Sequence, residues 1–258
     1  MFRTGSKLQK KICAPKPLMT TNAKMNSTQT TARITAVLIL VMAVIAPFSI
    51  LYIPSTMVVP GDAATTVHNI MASEGLFRLG LVDDAVVFLI EIVITVLLYG
   101  LLKPVSKTLS LVAAFSRLSM AIIQGINLLN QFIVLLLLSG ATYLTVFAPN
   151  QLQALVLLFL NAHAMVVLIW GLFFGVHLLV SGYLIFKSGY ISSIPGVLLI
   201  IAGFCYLIQS FGNILLPQNA ALFTSIGSLS FLEIALPLWL LIKGVNIEQW
   251  EKRVAESG

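Results

Sequence analysis

The sequence predicts an all-α protein: a polytopic transmembrane helical bundle of about six spans, with a short external helix between the first two. Composition is the first reason. Of 258 residues, 59% are apolar and 9% charged, and the mean hydropathy is +1.01. Soluble domains carry roughly 25% charged residues, so this chain lacks the polar surface to clothe a globule in water. Lipid is its expected solvent. The second reason is six apolar stretches, each reaching the roughly 20 residues that cross ~30 Å of hydrocarbon. The third is charge placement. With the N-terminus inside, thirteen of the fifteen Lys and Arg residues fall on cytoplasmic segments, leaving Arg78 outside and Arg117 within a span. That asymmetry is what the positive-inside rule demands.

Residues 1–33 are polar, rich in Lys, Thr and Ser and without a helical period, so they read as a disordered basic cytoplasmic tail. No short apolar stretch with a cleavage site marks a signal peptide. Met25 is a second candidate start beside Met1. The six-span domain then covers residues 34–243. Span one runs from Ile34 to Ile53 and is expected to stop at Pro54. The loop from Pro54 to Gly80 is the one sizeable external segment; Asp62 reads as the N-cap of a short helix through Met71, with Gly75 as its stop. Spans two and three cover Leu81–Leu102 and Leu109–Leu138, joined by a turn around Lys103–Lys107.

Span four lies between Gln151 and Phe186, a stretch that as one helix would reach ~54 Å. Either it projects beyond the bilayer, or residues 151–163 form a separate interfacial piece. Spans five and six cover Ile194–Leu216 and Ala221–Ile242. An even number of spans returns the C-terminus to the cytoplasm, where residues 244–258 form a tail with a short interfacial helix around Trp250. A bacterial cytoplasmic membrane is the expected location.

Ionisable groups inside spans are costly, which makes them the place to look for function. Asp83 and Asp84 are set aside as solvent-reached at the outer mouth of span two. Glu91, Arg117, His177 and Glu233 remain. Glu91 and Arg117 lie twelve residues before Lys103 and ten after Lys107, so an antiparallel hairpin puts them at one depth and an ion pair is expected. Such a pair serves either to fix helix register or to line a path. Glu233 has no basic residue left at its depth and is expected to take a proton. It either shares that proton with His177 or sits neutral, bonded to backbone or Ser. A secondary cluster is expected near the outer face from Asn127, Asn130, Gln131, Asn161 and His163, because Arg117, Gln124 and Gln131 repeat every seven residues along one side of span three. Amide glue between helices explains that stripe as well as a lined pathway does.

Other chemistry is not encoded. The basic residues form no patch with interleaved aromatics, so nucleic acid is not an expected partner. The lipid bilayer is, with an unknown membrane protein or a second copy of the chain as further possibilities. His163 and His177, fourteen residues apart, have a spacing used to stack two haems, but one helix alone carries the pair. Three scattered His, with Cys13 and Cys205 unable to meet, predict no metal site, disulfide or cofactor. There is no phosphate loop, dinucleotide fingerprint or nucleophile elbow, and no enzyme is expected.

Short motifs in a fixed order carry a resemblance. They are Thr31-Ala32-Arg33, Val59-Pro60-Gly61-Asp62, Glu74-Gly75-Leu76-Phe77-Arg78-Leu79-Gly80 and Leu102-Lys103-Pro104-Val105. Asn127-Leu128-Leu129-Asn130, Leu160-Asn161-Ala162-His163, Gly182-Tyr183-Leu184, and Ser188-Gly189 before Gly196-Val197-Leu198-Leu199 follow. Over residues 27–245 the chain resembles a bacterial family of uncharacterised integral membrane proteins, domain of unknown function family 4386. The resemblance implies a multi-span membrane protein without an assigned activity. Gln209 stands where relatives are expected to carry an acid, and the segment before Met25 is atypical. Two functional expectations follow: a small-solute or proton-linked transporter or membrane sensor using the intramembrane polar residues, or a structural and assembly protein that packs on partners through small-residue faces.

Overall fold

A computed structural model describes residues 18–257. These form helices and the turns between them. Six helical segments among them are long and apolar enough to cross a membrane: Ser27–Met57, Glu74–Leu102, Lys107–Leu137, Pro149–Ser188, Ser193–Leu215 and Pro217–Ile242.

Helix α1 spans Leu18–Pro47. Residues 18–33, expected to be disordered, are therefore its first turns, and Ala32 and Thr35 are fully buried against the bundle. The expectation for residues 1–17, including Cys13, lies outside the described residues. Beyond Pro47 the chain winds through a π-helical turn, Phe48–Tyr52, and re-enters α geometry as α2, Ile53–Met57. The widened turn is why Pro54 does not end the span. Proline has no N–H to donate and crowds the carbonyl four residues back, and the π turn moves the hydrogen bonding to Ile53 N–H on Phe48 O instead.

The short helix α3, Ala63–Ala72, starts where Asp62 accepts from the Thr65 N–H at 2.9 Å. Gly75 does not stop it. The chain turns at Ser73, and α4 already begins at Glu74, running unbroken to Leu102. Helix α5, Lys107–Leu137, follows a tight turn capped by Ser106. Helix α6, Pro149–Ser188, is one uninterrupted helix, so residues 151–163 belong to it. Gln151 Oε1 accepts from Ala148 N–H and secures its start. At ~1.5 Å per residue it is ~60 Å long, and α3 packs against its N-terminal part.

Helix α7, Ser193–Leu215, packs along α6 through glycine. A Cβ on Gly182 would stand 2.6 Å from the Gly196 carbonyl oxygen, and one on Gly203 2.9 Å from that of Gly175. The two backbones touch, which is what small residues permit between helices in lipid. The sixth segment is not a regular helix. Helix α8, Ala220–Gly227, gives way to a 3₁₀ stretch, Ser228–Ile234, before α9, Ala235–Ile242. Pro237 cannot donate to the Glu233 carbonyl four residues earlier, so the break falls at the only carboxylate of the segment.

The first half of α1 and the segment after α9 lie at one end of the bundle. Gln29 Oε1 on α1 accepts from Val245 N–H, and Tyr190 O–H donates to Leu101 O at 2.7 Å. Burial pushes the Tyr190 phenol well above its usual range. Gly189 and Gly244, with φ of +75° and +67°, make the left-handed exits from α6 and α9. Helix α10, Ile247–Ser257, carries the expected Trp250 against the core, and its Arg253 donates to the Lys187 and Ser188 carbonyls at the end of α6. Two apolar clusters fill the bundle, a larger one that takes in Met120, Ile185 and Leu240 and a smaller one around Ile70, Phe77 and Val156 at the α3 end. Glu91, Arg117, His177 and Glu233 are set among residues of the larger cluster, such as Met42, Phe174 and Leu178.

Candidate functional site

Glu91 on α4 and Arg117 on α5 meet, with Oε2 2.6 Å from Nε, and each residue is 4% exposed. Near-symmetric placement about the α4–α5 turn brings them to the same depth. Arg117 Nη1 donates to His177 Nε2 at 3.0 Å, and the Phe174 ring lies 5.5 Å from the guanidinium carbon. His177 Nδ1–H donates to the Ala113 carbonyl oxygen at 2.9 Å. Arginine has no acceptor, so Nε2 must be the lone-pair nitrogen. The two partners together fix a neutral imidazole with its proton on Nδ1.

Glu233 reaches the same place from the 3₁₀ break. Tyr206 O–H on α7 donates to its Oε1 at 3.4 Å, while Oε2 is buried without a hydrogen-bond partner among the described residues. Of the two alternatives for Glu233, the pair with His177 does not form, because both nitrogens of His177 are engaged by Arg117 and Ala113, and the partner is the Tyr206 hydroxyl in place of backbone or Ser. What the four residues share is a wall: Glu91, Arg117, His177 and Glu233 line one cavity of about 200 Å³. Met42 and Ala46 of α1 and Pro237 of α9 close other sides. Trp170, Phe174 and Tyr206 form an aromatic corner, with ring centroids 5.0–5.8 Å apart.

The second cluster lies nearer the α3 end. Asn127 Nδ2 donates to His163 O at 3.1 Å, Asn130 Nδ2 donates to Asn127 Oδ1 at 2.8 Å, and Gln131 Nε2 donates to His163 Nε2 at 3.1 Å. Asn161 is not part of it. Two residues from His163, it is rotated by ~200° and faces outward, exposed. Asp84 joins instead. Expected to be wet, it is 4% exposed, and its carboxyl interacts with the side chains of Ser49 and Gln131 and with the imidazole of His163. Since α4 begins at Glu74, Asp84 lies ~15 Å inside the helix rather than at its mouth.

Asp84 had a legible signal: it stands seven residues before Glu91, on the same helix face. Ser49 had none, because the π turn that aims it inward is not written in a residue pattern. Tyr206 and Trp170 were hidden among many aromatics of apolar spans. Among the described residues, no three His, Cys, Asp or Glu side chains gather as a metal site.

The chain is similar to an uncharacterised protein of Archaeoglobus fulgidus, 26% identical over 164 residues that cover 63% of this chain and 82% of the relative. No solved structure matches it. The match to the family model described as Domain of unknown function (DUF4386) extends over residues 34–244, from within α1 to the exit of α9, and the chain belongs to that family.

Proposed function

We propose that this chain is a proton-linked transporter of a small solute, with its six segments crossing a membrane and both termini on the cytoplasmic side. One observation carries the reading: a carboxylate with an unmatched oxygen, Glu233, stands on a cavity wall at the break of a membrane-length segment. Broken helices at mid-depth are tolerated where they line a cavity, and transporters place substrate sites there. A buried carboxyl in such a setting holds a proton when alone and gives it up when a cation replaces it. The Glu91–Arg117–His177 network supplies the fixed wall against which that exchange works.

The assembly alternative relied on small-residue faces free to meet partners. Gly171, Gly175 and Gly182 are instead spent inside the chain, facing Ser210, Gly203 and Gly196 of α7. The test is proton flux into liposomes loaded with a pH-sensitive dye and with solute, driven by an outward solute gradient. Wild-type protein is expected to carry protons when solute is supplied, and Glu233→Gln to lose most of that flux. Equal flux in the two proteins overturns the reading.

A further inference from the structure

We infer that the cavity beside Glu233 binds a small monovalent organic cation, an amine bearing an apolar or aromatic body; this names the solute and rests on the transport reading above. Charge balance is the first argument. Two carboxylates, Glu91 and Glu233, and one guanidinium, Arg117, line the cavity. Arg117 is matched by Glu91 at 2.6 Å, and its Nη1 is spent on the neutral His177. One negative charge is left over when Glu233 ionises, and a single positive charge on the solute neutralises it. An anion would find Arg117 already engaged and the free carboxylate repelling it.

The walls give the second argument. Trp170, Phe174 and Tyr206 meet in one corner, and aromatic rings attract ammonium groups through their quadrupoles. Ile39, Met42, Val87 and Leu199 supply an apolar surround that accepts hydrocarbon. Volume sets the third. Apolar voids of ~150 Å³ take up benzene, so about 200 Å³ admits a single-ring amine and excludes a large polycyclic one.

The groups that face Glu233 are Tyr206 from α7, with Glu91 of α4, Arg117 of α5 and His177 of α6 on the shared cavity wall. Binding of the cation and protonation of Glu233 are therefore alternatives at one carboxyl. Each bound ammonium releases one proton, and the exchange is neutral in charge.

Benzylammonium, benzyl alcohol and benzoate share one body and differ in charge, and their binding to the purified full-length protein can be followed by calorimetry and Trp fluorescence. Benzylammonium is expected to bind, with about tenfold or greater preference over the alcohol and no binding of benzoate. In weakly buffered solution at a pH where Glu233 is protonated, it acidifies the medium. Equal affinity for the three compounds overturns the proposal, as does benzylammonium binding without proton release. This comparison uses the wild-type chain alone, so it stands even where a variant fails to fold. Glu233→Gln and Tyr206→Phe, each checked for an unchanged elution volume, are expected to weaken benzylammonium and leave the alcohol alone. Failure of amine binding alongside Glu233-dependent proton flux removes the substrate class and spares transport. Amine binding without flux in liposomes does the reverse.

Discussion

At the scale of single residues the Glu91–Arg117 contact decides most. Two ions at 4% exposure each owe their presence to one another, because removing one partner strands the other's charge. Such truncations cost about 3–5 kcal/mol, whereas replacing both ions by apolar groups of similar volume is often neutral or stabilising. Glu91→Gln and Arg117→Met are each expected to lower the unfolding midpoint in denaturant sharply, and the double substitution to recover most of the loss. A double variant as unstable as the sum of its parts contradicts the pairing. A residue outside the spans gives a second expectation. Hydrogen bonds from the Thr65 N–H and hydroxyl hold the Asp62 carboxyl below its ordinary value of 3.8. A depressed carboxyl stabilises the fold above its unfolded value and loses that contribution as pH falls through the folded one. Amide exchange across α3 should therefore quicken as pH drops below about 3.8, once the intrinsic pH dependence of exchange is removed. Asp62→Asn, which keeps the acceptor without the charge, should abolish that excess. The pairing of Glu91 with Arg117 and the capping by Asp62 were legible because each depends on spacing along one helix or one hairpin. The fate of His177 was not. Its partners are the Ala113 carbonyl and Arg117, about sixty residues away in sequence, and only the way α6 leans on α5 selects them.

At the scale of elements, helix existence was plain and helix irregularity was not. Apolar runs long enough for a bilayer declare themselves, and the ends of α5 lie within two residues of those expected from its apolar run. Proline was the misleading signal. Pro54 was read as a stop and sits inside a continuing span, while Pro237 drew no notice and marks the change from 3₁₀ to α winding. The difference lies in what the neighbouring turn does with the orphaned carbonyl, which no local pattern states. Replacing Pro237 by Ala restores an N–H opposite the Glu233 carbonyl and should let the sixth segment close into a regular helix. Thermal stability is expected to rise while solute-coupled proton flux falls, since a mid-segment 3₁₀ stretch is a common hinge. Flux unchanged by a stabilising Pro237→Ala detaches the break from transport. The α6–α7 contact makes a sharper structural expectation. A Cβ on Gly182 meets backbone, 2.6 Å from Gly196 O, whereas one on Gly125 meets only the edge of Phe88 at 3.8 Å. Overpacking costs about 1–3 kcal/mol, so Gly182→Ala should destabilise by that order and Gly125→Ala by little, read as denaturation midpoints in the same detergent.

For the whole molecule the controlling quantity is the distribution of charge between the two ends. Lys103, Lys107, Lys187, Lys243, Lys252 and Arg253 gather at the end where α1 meets the segment after α9, and hydrogen bonds from Arg253 and Val245 tie that end together. The opposite end carries α3 and the overhang of α6, with Arg78 paired to Glu74. Basic segments stay on the side from which a membrane protein is inserted, so the end with α10 should face the cytoplasm. The length of α6 makes this measurable. A helix of ~60 Å exceeds a ~30 Å hydrocarbon core, and in the proposed orientation, with Lys187 at the basic surface, the excess should emerge on the other side, beneath α3. Single cysteines at Gln151 and at Glu248, in a background with Cys13 and Cys205 replaced by Ser, separate the two ends. In intact cells an impermeant maleimide should label position 151 and leave position 248 untouched until the membrane is opened. The opposite pattern inverts the protein, and with it the direction of the proposed proton exchange at Glu233. Labelling at both positions in intact cells removes the barrier between them, and a cavity that couples a proton to a solute has no meaning without one.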